Sequence, residues 1–400
     1  AISAQAKGRW SFSFARTSEM RAVFLLAFIA GLGVGGHRGA GGEWRGADIS
    51  SLATYDASGR SSPFRAVAGG PRVDALELMA AKGANAFRMR LWNDPCADGR
   101  CDPFQYRYAN LTGVLAMARR VSAAGLAFIL DLHYSDWWAD PKQQRKPAAW
   151  ERLSWPALTE AVRHFTRKAV AALVAQGTPP VAVQVGNEVT HGMLWNSAGS
   201  PCSSGGRLHD GCDAGAWRRF GELVANGAMG VHDACPECEV AIHTDLGNHI
   251  VSDGIDHVIG WYSNLTAALK AAGTDVGFDR IGLSMYSYWD GGRTMQSLAK
   301  LGKLAAAFPD KLIYIAETSY PAAGAATERG YPATPSGQLA FFRAVRAGLE
   351  AAVPKAQRGG VLWWEGKEGA AKSLFDWDYV ARPALLSGFQ IDFTAGEIFV

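Results

Sequence analysis

Residues 111–133, LTGVLAMARRVSAAGLAFILDLH, contain one complete helix-then-strand unit. Apolar side chains recur at three- and four-residue steps from Leu111 to Ala124, which predicts an amphipathic helix. Gly125 follows, as Gly83 and Gly177 follow two other helical segments, and a left-handed C-cap is expected at each. The apolar run Ala127 to Asp131 then predicts a buried strand, and the polar His133 lies two residues after its end. The repetition of this unit decides the fold.

The same alternation continues through most of the chain. Eight β-rich runs are present: Arg45 to Ile49, Ala86 to Leu91, Ala127 to Asp131, Ala182 to Val185, Val240 to Thr244, Ile281 to Ser284, Leu312 to Ala316 and Val361 to Trp364. Helical segments between them include Val73 to Lys82, Trp155 to Gln176 and Gly337 to Ala352. We therefore predict the α/β class and a single (β/α)8 TIM barrel. The competing fold, a doubly wound open sheet, usually has a glycine fingerprint that GADISSLATYDASG, at the first run, lacks.

The composition is that of a globular protein. Of the 400 residues, 48% are hydrophobic and 19% charged, which is too apolar for a disordered chain. The net charge is only +3 and no basic stripe is present, so we expect no nucleic-acid partner. The 14 tryptophans often lie beside acidic or amide side chains, which is typical of surfaces that bind sugars.

The N-terminal segment has the pattern of an export signal. Arginines flank Met20, and residues 22–34 form an apolar, Gly-containing run followed by small residues. This run is shorter than the roughly 20 residues that span a bilayer, so we expect no stable membrane association; a retained anchor is the weaker alternative. We predict a leader over residues 1–40, one catalytic domain over residues 41–400, and a secreted protein that is by default a monomer.

Cysteine usage agrees with export. Six cysteines form three close pairs in loop-like sequence: Cys96 with Cys101, Cys202 with Cys212, and Cys235 with Cys238. Local disulfides are the favoured interpretation. The alternative for CPEC, zinc or redox chemistry, has no second CxxC that would complete a four-thiolate site.

Functional side chains end nearly every predicted strand. In a (β/α)8 barrel the carboxyl ends of the strands open on one face, where the chemistry takes place. The side chains there are Asp48, Arg88, Arg90, His133, Asn187, Glu188, His243, Asp245, Tyr286, Glu317, Trp363, Trp364 and Glu365. A random sample of loop positions would give mainly Ser, Gly and Lys, so this ring predicts a site.

Two carboxylates of the ring form a candidate catalytic pair. Glu188 ends the fourth run in QVGNEV, and Glu317 ends the seventh in IYIAETS. Strands four and seven lie across the barrel mouth, so their side chains can converge. A separation of about 5 Å suits a retaining glycosidase and a wider gap an inverting one. Arg88 is the expected donor that keeps Glu317 ionised; the alternative for either glutamate is a salt bridge at the rim.

From Gly46 to Phe389 the chain resembles glycoside hydrolase family 53, the arabinogalactan endo-β-1,4-galactanases of clan A. The resemblance rests on GADIS, GANAFRMRLWNDP, DLHYSDWWADPKQQRKPAAW, VQVGNEVTHGMLW, FDRIGLSMYSYW, IYIAETSYP, YPATPSGQ and VLWWEG. It implies endo-acting, retaining hydrolysis of pectic β-1,4-galactan, with Glu188 as acid/base and Glu317 as nucleophile.

The resemblance also implies roles for the surrounding residues. Arg88 would support the nucleophile, Tyr286 would hydrogen-bond to it, and Asn187 would contact the sugar 2-hydroxyl. Trp363 would floor the subsite at the cleaved bond, and His133 would line the cleft. The full set of expected substrate-binding residues is Asp48, Arg88, Arg90, His133, Asn187, Tyr286, Trp289 and Trp363.

We expect no cofactor and no metal. Bacterial members of the family often bind calcium in the loop after strand seven, but here that loop, TSYPAAGAATERGYPATPSGQ, has no Asp or Asn. Two alternatives stay open from the sequence. One is another clan-A activity on the same residues, such as a mannanase, xylanase or endoglucanase. The other is a non-catalytic carbohydrate-binding barrel, which would have no need of paired carboxylates.

Overall fold

The computed structural model describes residues 42–56, 62–95, 97, 108–196, 206–208, 214–365 and 371–390. Eight parallel strands close into a barrel in the order β1-β8-β7-β6-β5-β4-β3-β2. They are β1 Trp44–Asp48, β2 Ala86–Leu91, β3 Ala127–Leu132, β4 Ala182–Val185, β5 Glu239–Thr244, β6 Arg280–Ser284, β7 Leu312–Thr318 and β8 Arg358–Trp363. The predicted (β/α)8 barrel is confirmed, and all eight strands overlap the predicted runs.

Helices follow the strands around the barrel. They are α1 Leu52–Asp56, α2 Ala75–Ala81, α3 Leu111–Ala123, α4 Trp155–Ala175, α5 Ala214–Ala234, α6 Ile255–Ala271, α7 Thr294–Leu298, α8 Leu301–Ala307, α9 Pro335–Ala352 and α10 Pro383–Gly388. Gly83, Gly125 and Gly177 have φ values of 98°, 70° and 82°, so each is in the left-handed conformation predicted for the end of a helix. None of the described helices is both long and apolar enough to cross a membrane.

Side chains alternate between the barrel interior and the surrounding helices, as strand geometry requires. The apolar interior layer consists of Trp44, Ala86, Ile129, Ala182, Ala241, Tyr314, Ala316 and Leu362. The Trp44 and Tyr314 rings meet edge to face at 5.1 Å, and the Arg280 guanidinium lies 3.8 Å from the Trp44 ring centroid. This layer closes the lower barrel and leaves the polar ring at the carboxyl ends of the strands.

Strand β7 departs from regular pairing at Glu317. Leu283 pairs with Ile315, but the next residue of β6, Ser284, pairs with Glu317, so β7 contains one extra residue. Ala316 faces the barrel interior, and simple alternation would therefore turn Glu317 outward. The extra residue re-aims the Glu317 side chain towards the barrel axis, which is a known use of a β-bulge.

One predicted disulfide lies within the described residues. Cys235 and Cys238 are joined, with their Cα atoms 5.3 Å apart, directly before β5. Cys96, Cys101, Cys202 and Cys212 lie outside the described residues, as does the predicted leader.

Candidate active site

A cleft of about 430 Å³ opens at the carboxyl ends of the strands. Its lining residues are Asp48, Arg88, Arg90, Asp131, His133, Trp138, Ala139, Asp140, Asn187, Glu188, Tyr286, Tyr288, Trp289, Glu317, Trp364 and Lys372. The residues predicted as catalytic or substrate-binding thus lie together, with the exception of Trp363.

Arg88 is the centre of the cleft floor. Its Nη1 donates to Asp48 Oδ2 at 3.1 Å and to Glu317 Oε1 at 2.9 Å. Its Nη2 donates to Asp131 Oδ2 and to Asn187 Oδ1, both at 2.7 Å. Arg88 is only 1% exposed, and a buried cation of this kind is tolerated because carboxylates surround it. The three negative charges raise the pKa of Arg88 against the opposing effect of burial, so its charge is fixed.

Glu317 is held by two donors. Arg88 Nη1 occupies Oε1, and the Tyr286 hydroxyl donates to Oε2 at 2.7 Å. Burial raises the pKa of Glu317, while the Arg88 charge and the Tyr286 hydrogen bond act in the opposite direction. A buried carboxylate with a cation and a hydroxyl donor is the better of the two glutamates at staying ionised, as a nucleophile must.

Glu188 has the opposite environment. The pKa of Glu188 is raised well above its ordinary value, first by burial and then by the negative charges of Glu317 and Asp245. Its one opposing contact is a hydrogen bond from Ser284 Oγ to Oε1 at 2.7 Å. Since none of the principal causes of this shift is a cation, Glu188 is the carboxyl that keeps its proton and can act as general acid. The residue has φ of 46°, an uncommon conformation outside glycine that is frequent at functional sites.

The two carboxyl groups are close. A carboxylate oxygen of Glu188 and one of Glu317 lie within 4.8 Å of each other, and a ring nitrogen of His243 lies within the same distance of both. Retaining glycosidases have carboxyl groups about 5 Å apart, whereas inverting enzymes keep roughly 6.5–9.5 Å so that a water fits between. The separation therefore matches a double displacement.

Ser284 links Glu188 to His243. His243 Nε2 lies 2.8 Å from Ser284 Oγ, and Nδ1 lies 3.1 Å from Gln184 Nε2 and 3.0 Å from Asn187 Oδ1. Burial and the Arg88 charge lower the pKa of His243 well below its ordinary value, so the ring is neutral. Each neutral tautomer has a partner on both sides. Ser284 Oγ can therefore donate to Glu188 when Glu188 is ionised and accept from it when it is protonated.

Glu188, His243 and Glu317 are also the group of described residues whose spacing would allow a metal ion. Their ligand atoms already have other partners: Arg88 and Tyr286 at Glu317, and Ser284 between Glu188 and His243. A divalent ion would have to displace these donors and lie beside the Arg88 charge. These hydrogen-bond donors therefore suit a pair of carboxyl groups that exchange protons, and they suit a metal ion less well.

Aromatic side chains form the walls. Trp289 is 65% exposed at the rim, as expected of a platform for a sugar ring. Deeper in, the Trp138 and Trp364 rings meet at 6.4 Å, and the Arg90 guanidinium lies 4.1 Å from the Trp138 ring centroid. Arg90 also forms a buried ion pair with Glu365.

His133 lies in the cleft as predicted. Its Nδ1 accepts from the Ala139 backbone N–H, and its Nε2 lies 3.0 Å from Asp131 Oδ2. The first contact fixes the proton on Nε2. His133 thus orients Asp131, the carboxylate that holds Arg88.

The prediction for Trp363 is wrong. Trp363 is 0% exposed, its ring packs edge to face on Phe342 of α9 at 4.9 Å, and Nε1 donates to the Lys372 carbonyl. Because Leu362 faces the barrel interior, alternation turns Trp363 towards the helices and Trp364 towards the cleft. Trp364 is the tryptophan that lines the site.

Sequence reasoning overlooked several side chains that lie at the site. Asp131 carries a signal that could have been used, since it precedes His133 by two residues on the same face of β3. The sequence holds no such signal for three others, Ser284, Gln184 and Lys372. A serine, a glutamine and a loop lysine are common residues, and only the fold brings these three to the site.

These features together describe a class of enzyme. Two carboxyl groups, one just after β4 and one on β7, lie close together in a cleft that an exposed tryptophan lines at the mouth of a (β/α)8 barrel, and their surroundings favour the ionised form of one and the protonated form of the other. That is the arrangement of a two-carboxylate glycoside hydrolase.

The sequence profile of glycosyl hydrolase family 53 matches residues 44–382, and the chain belongs to that family. A probable arabinogalactan endo-beta-1,4-galactanase A of Aspergillus terreus is 31% identical over 338 residues, covering 80% of this chain and 85% of that protein. The arabinogalactan endo-beta-1,4-galactanase of Thermothelomyces thermophilus is 30% identical, covering 80% and 89% respectively. A solved fungal beta-1,4-galactanase structure is similar with a TM-score of 0.70 at 27% identity, covering 87% of this chain and 99% of that one.

Proposed function

We propose that this glycoside hydrolase cleaves internal β-1,4-galactosidic bonds of galactan and arabinogalactan by a retaining double displacement. The observation that carries the mechanism is the 4.8 Å limit on the separation of the Glu188 and Glu317 oxygens. The observation that carries the substrate is membership of family 53 together with the galactanases to which the chain is similar.

The first half of the reaction uses both glutamates at once. Glu317 attacks the anomeric carbon while Glu188 gives its proton to the departing glycosidic oxygen, which leaves a glycosyl ester on Glu317. Tyr286 and Arg88 orient the nucleophile until its charge is lost. Asn187 Nδ2 uses one of its two N–H groups on the Ala139 carbonyl, so the other is available to the sugar 2-hydroxyl.

In the second half of the reaction Glu188 accepts a proton instead of donating one. Glu188, now ionised, takes a proton from water as the water oxygen attacks the anomeric carbon. The bond from that carbon to Glu317 breaks, so the Glu317 carboxylate is released and the sugar has net retention of configuration. Ser284 Oγ donates to Glu188 in this ionised state and so stabilises the base.

Substrate and mechanism are tested together. Reducing-sugar release is measured from β-1,4-galactan, with xylan, mannan and cellulose as alternatives, for wild type, Glu317→Gln and Glu188→Gln. The exposed Glu77→Gln on α2 serves as the matched control. We expect galactan cleavage by wild type and Glu77→Gln only, with the β-anomer formed first by NMR. Cleavage of another glycan in place of galactan contradicts the substrate, α-anomer formation contradicts the mechanism, and a folded but inactive wild type favours a non-catalytic carbohydrate-binding barrel.

We further propose that residues 1–40 are a leader that is removed on export, and that residues 41–400 act as one monomeric catalytic domain in the extracellular medium. The N-terminal pattern supports export, and so does the Cys235–Cys238 disulfide, a bond typical of oxidising compartments. Three measurements on the protein recovered from culture medium test these statements. Its mass and N-terminus test removal of the leader, its presence in the medium tests export, and its size in solution tests the monomer. A cell-retained chain of full mass contradicts export.

A further inference from the structure

The cleft wall contains a lysine that the catalytic mechanism does not use. Lys372 is half-buried in the segment after β8, and its ammonium lies 3.5 Å from the centroid of the Tyr288 ring. The Tyr288 ring lies 5.0 Å from that of Tyr286, which holds the nucleophile. Lys372 therefore lies on the aromatic wall, and two tyrosine rings, Tyr288 and Tyr286, connect it to Glu317.

Lys372 has no acidic partner among the residues that the structure describes. Its ammonium makes no hydrogen bond or ion pair there, and burial is the one cause that lowers the pKa of Lys372. The other two cleft cations differ, because Arg88 contacts three carboxylates and Arg90 pairs with Glu365.

The carboxylates of the cleft are also matched to other donors. Asp48, Asp131 and Glu317 bind Arg88. Glu188 accepts from Ser284, and Asp140 accepts from the side chain of Gln143. None of these carboxylates forms an ion pair with Lys372.

We propose that Lys372 binds the carboxylate of a hexuronate unit, so that the enzyme accepts galactan carrying acidic sugars. This inference rests on the proposed galactan hydrolysis and adds a charged substituent to it. A partly desolvated ammonium without a counter-charge is unfavourable, and a carboxylate from the ligand removes that cost. A neutral hydroxyl would accept one hydrogen bond and leave the charge uncompensated.

A second lysine ammonium lies near the same aromatic wall. Lys142 Nζ lies 5.8 Å from the centroid of Trp289, whose ring meets that of Tyr288 at 5.4 Å. A sugar stacked on the exposed face of Trp289 would therefore lie near two ammonium groups. Their charges attract an acidic sugar more strongly than a neutral one.

The test uses one polymer in two forms. β-1,4-Galactan is oxidised at a fraction of its C6 positions to galacturonate, and the untreated polymer is the neutral control. The measured quantity is the ratio of kcat/KM on oxidised galactan to kcat/KM on neutral galactan, for wild type, Lys372→Gln and Lys372→Arg. A charge-assisted hydrogen bond predicts a fall of this ratio by about tenfold in Lys372→Gln. Lys372→Arg keeps most of the ratio, and added salt reduces it in wild type.

The outcomes separate the two proposals. An unchanged ratio in Lys372→Gln overturns the role of Lys372, including the case where both rates fall equally because the cleft is distorted. A folded wild type that cleaves neither polymer contradicts the galactan proposal instead. Lys372 is then tested by calorimetric binding of oxidised against neutral galactotetraose, where equal affinities overturn its role.

Discussion

Replacing Ser284 with alanine tests the assignment of Glu188 most directly. Ser284 Oγ donates to Glu188 Oε1 at 2.7 Å and is the one contact that lowers the pKa of that carboxyl. The hydrogen bond stabilises the ionised form more than the protonated form. Its removal therefore raises the pKa of Glu188 further. Since Glu188 must be protonated for the first step, the alkaline limb of kcat/KM moves to higher pH in Ser284→Ala.

The same change lowers the ionised fraction of Glu188, which is the base of the second step. A hydrogen bond to an ionised group is worth about 1.5–3 kcal/mol, so losing it predicts a fall of roughly tenfold to a hundredfold in that fraction, and in the rate of the step, at pH values below the raised pKa. An aryl β-galactobioside with a good leaving group isolates this effect. Such a leaving group needs little protonation, and hydrolysis of the glycosyl ester becomes rate-limiting. We expect kcat on this substrate to fall, with the largest loss at low pH.

The matched control is Ser287→Ala. Ser287 is as buried as Ser284, but its hydroxyl bonds to Thr327 and not to the catalytic pair. Full pH profiles of wild type and both variants, with melting temperatures, complete the experiment. An alkaline limb that stays in place in Ser284→Ala, or moves equally in Ser287→Ala, refutes the acid/base role of Glu188.

Three further outcomes follow from the contacts of the site. Tyr286→Phe removes the 2.7 Å hydrogen bond to Glu317 and is expected to lower kcat by about tenfold, more than it changes KM; an effect on KM alone would show that Tyr286 acts on the substrate only. Trp289→Ala removes an exposed platform, so steady-state kinetics on galactan should show a larger change in KM than in kcat, at an unchanged melting temperature. Trp363→Ala instead empties a buried position against Phe342 and should lower the free energy of unfolding by about 3–5 kcal/mol in urea titration. A stable Trp363→Ala with a raised KM would restore the predicted cleft role of Trp363.

Much of this architecture could be predicted from the sequence because it depends on local rules. The strand runs from Ala86 to Leu91 and from Ala182 to Val185 match the observed strands residue for residue. Helix ends at Gly83, Gly125 and Gly177 follow from the conformational freedom of glycine.

Side-chain partners across the barrel could not be predicted in the same way. Ser284 and Glu188 are 96 residues apart in the sequence, and Lys372 meets Tyr288 from a loop that follows another strand. Such contacts depend on the barrel register and on loop paths, which composition and periodicity do not encode. The paired strand ends and the family resemblance both indicated the two glutamates, but the resemblance misplaced Trp363, because it named a strand end without testing which face that position takes.

Regular alternation fails in this barrel at Glu317, the residue proposed as the nucleophile. Applied to β8, the rule corrects the prediction, since an inward Leu362 requires an outward Trp363 and an inward Trp364. Applied to β7, the same rule gives the wrong face for Glu317, because the register there shifts by one residue against both neighbours. An ideal β7 would not direct Glu317 as found, so the register shift on that strand is what brings the Glu317 carboxyl group within 4.8 Å of that of Glu188 at the barrel mouth.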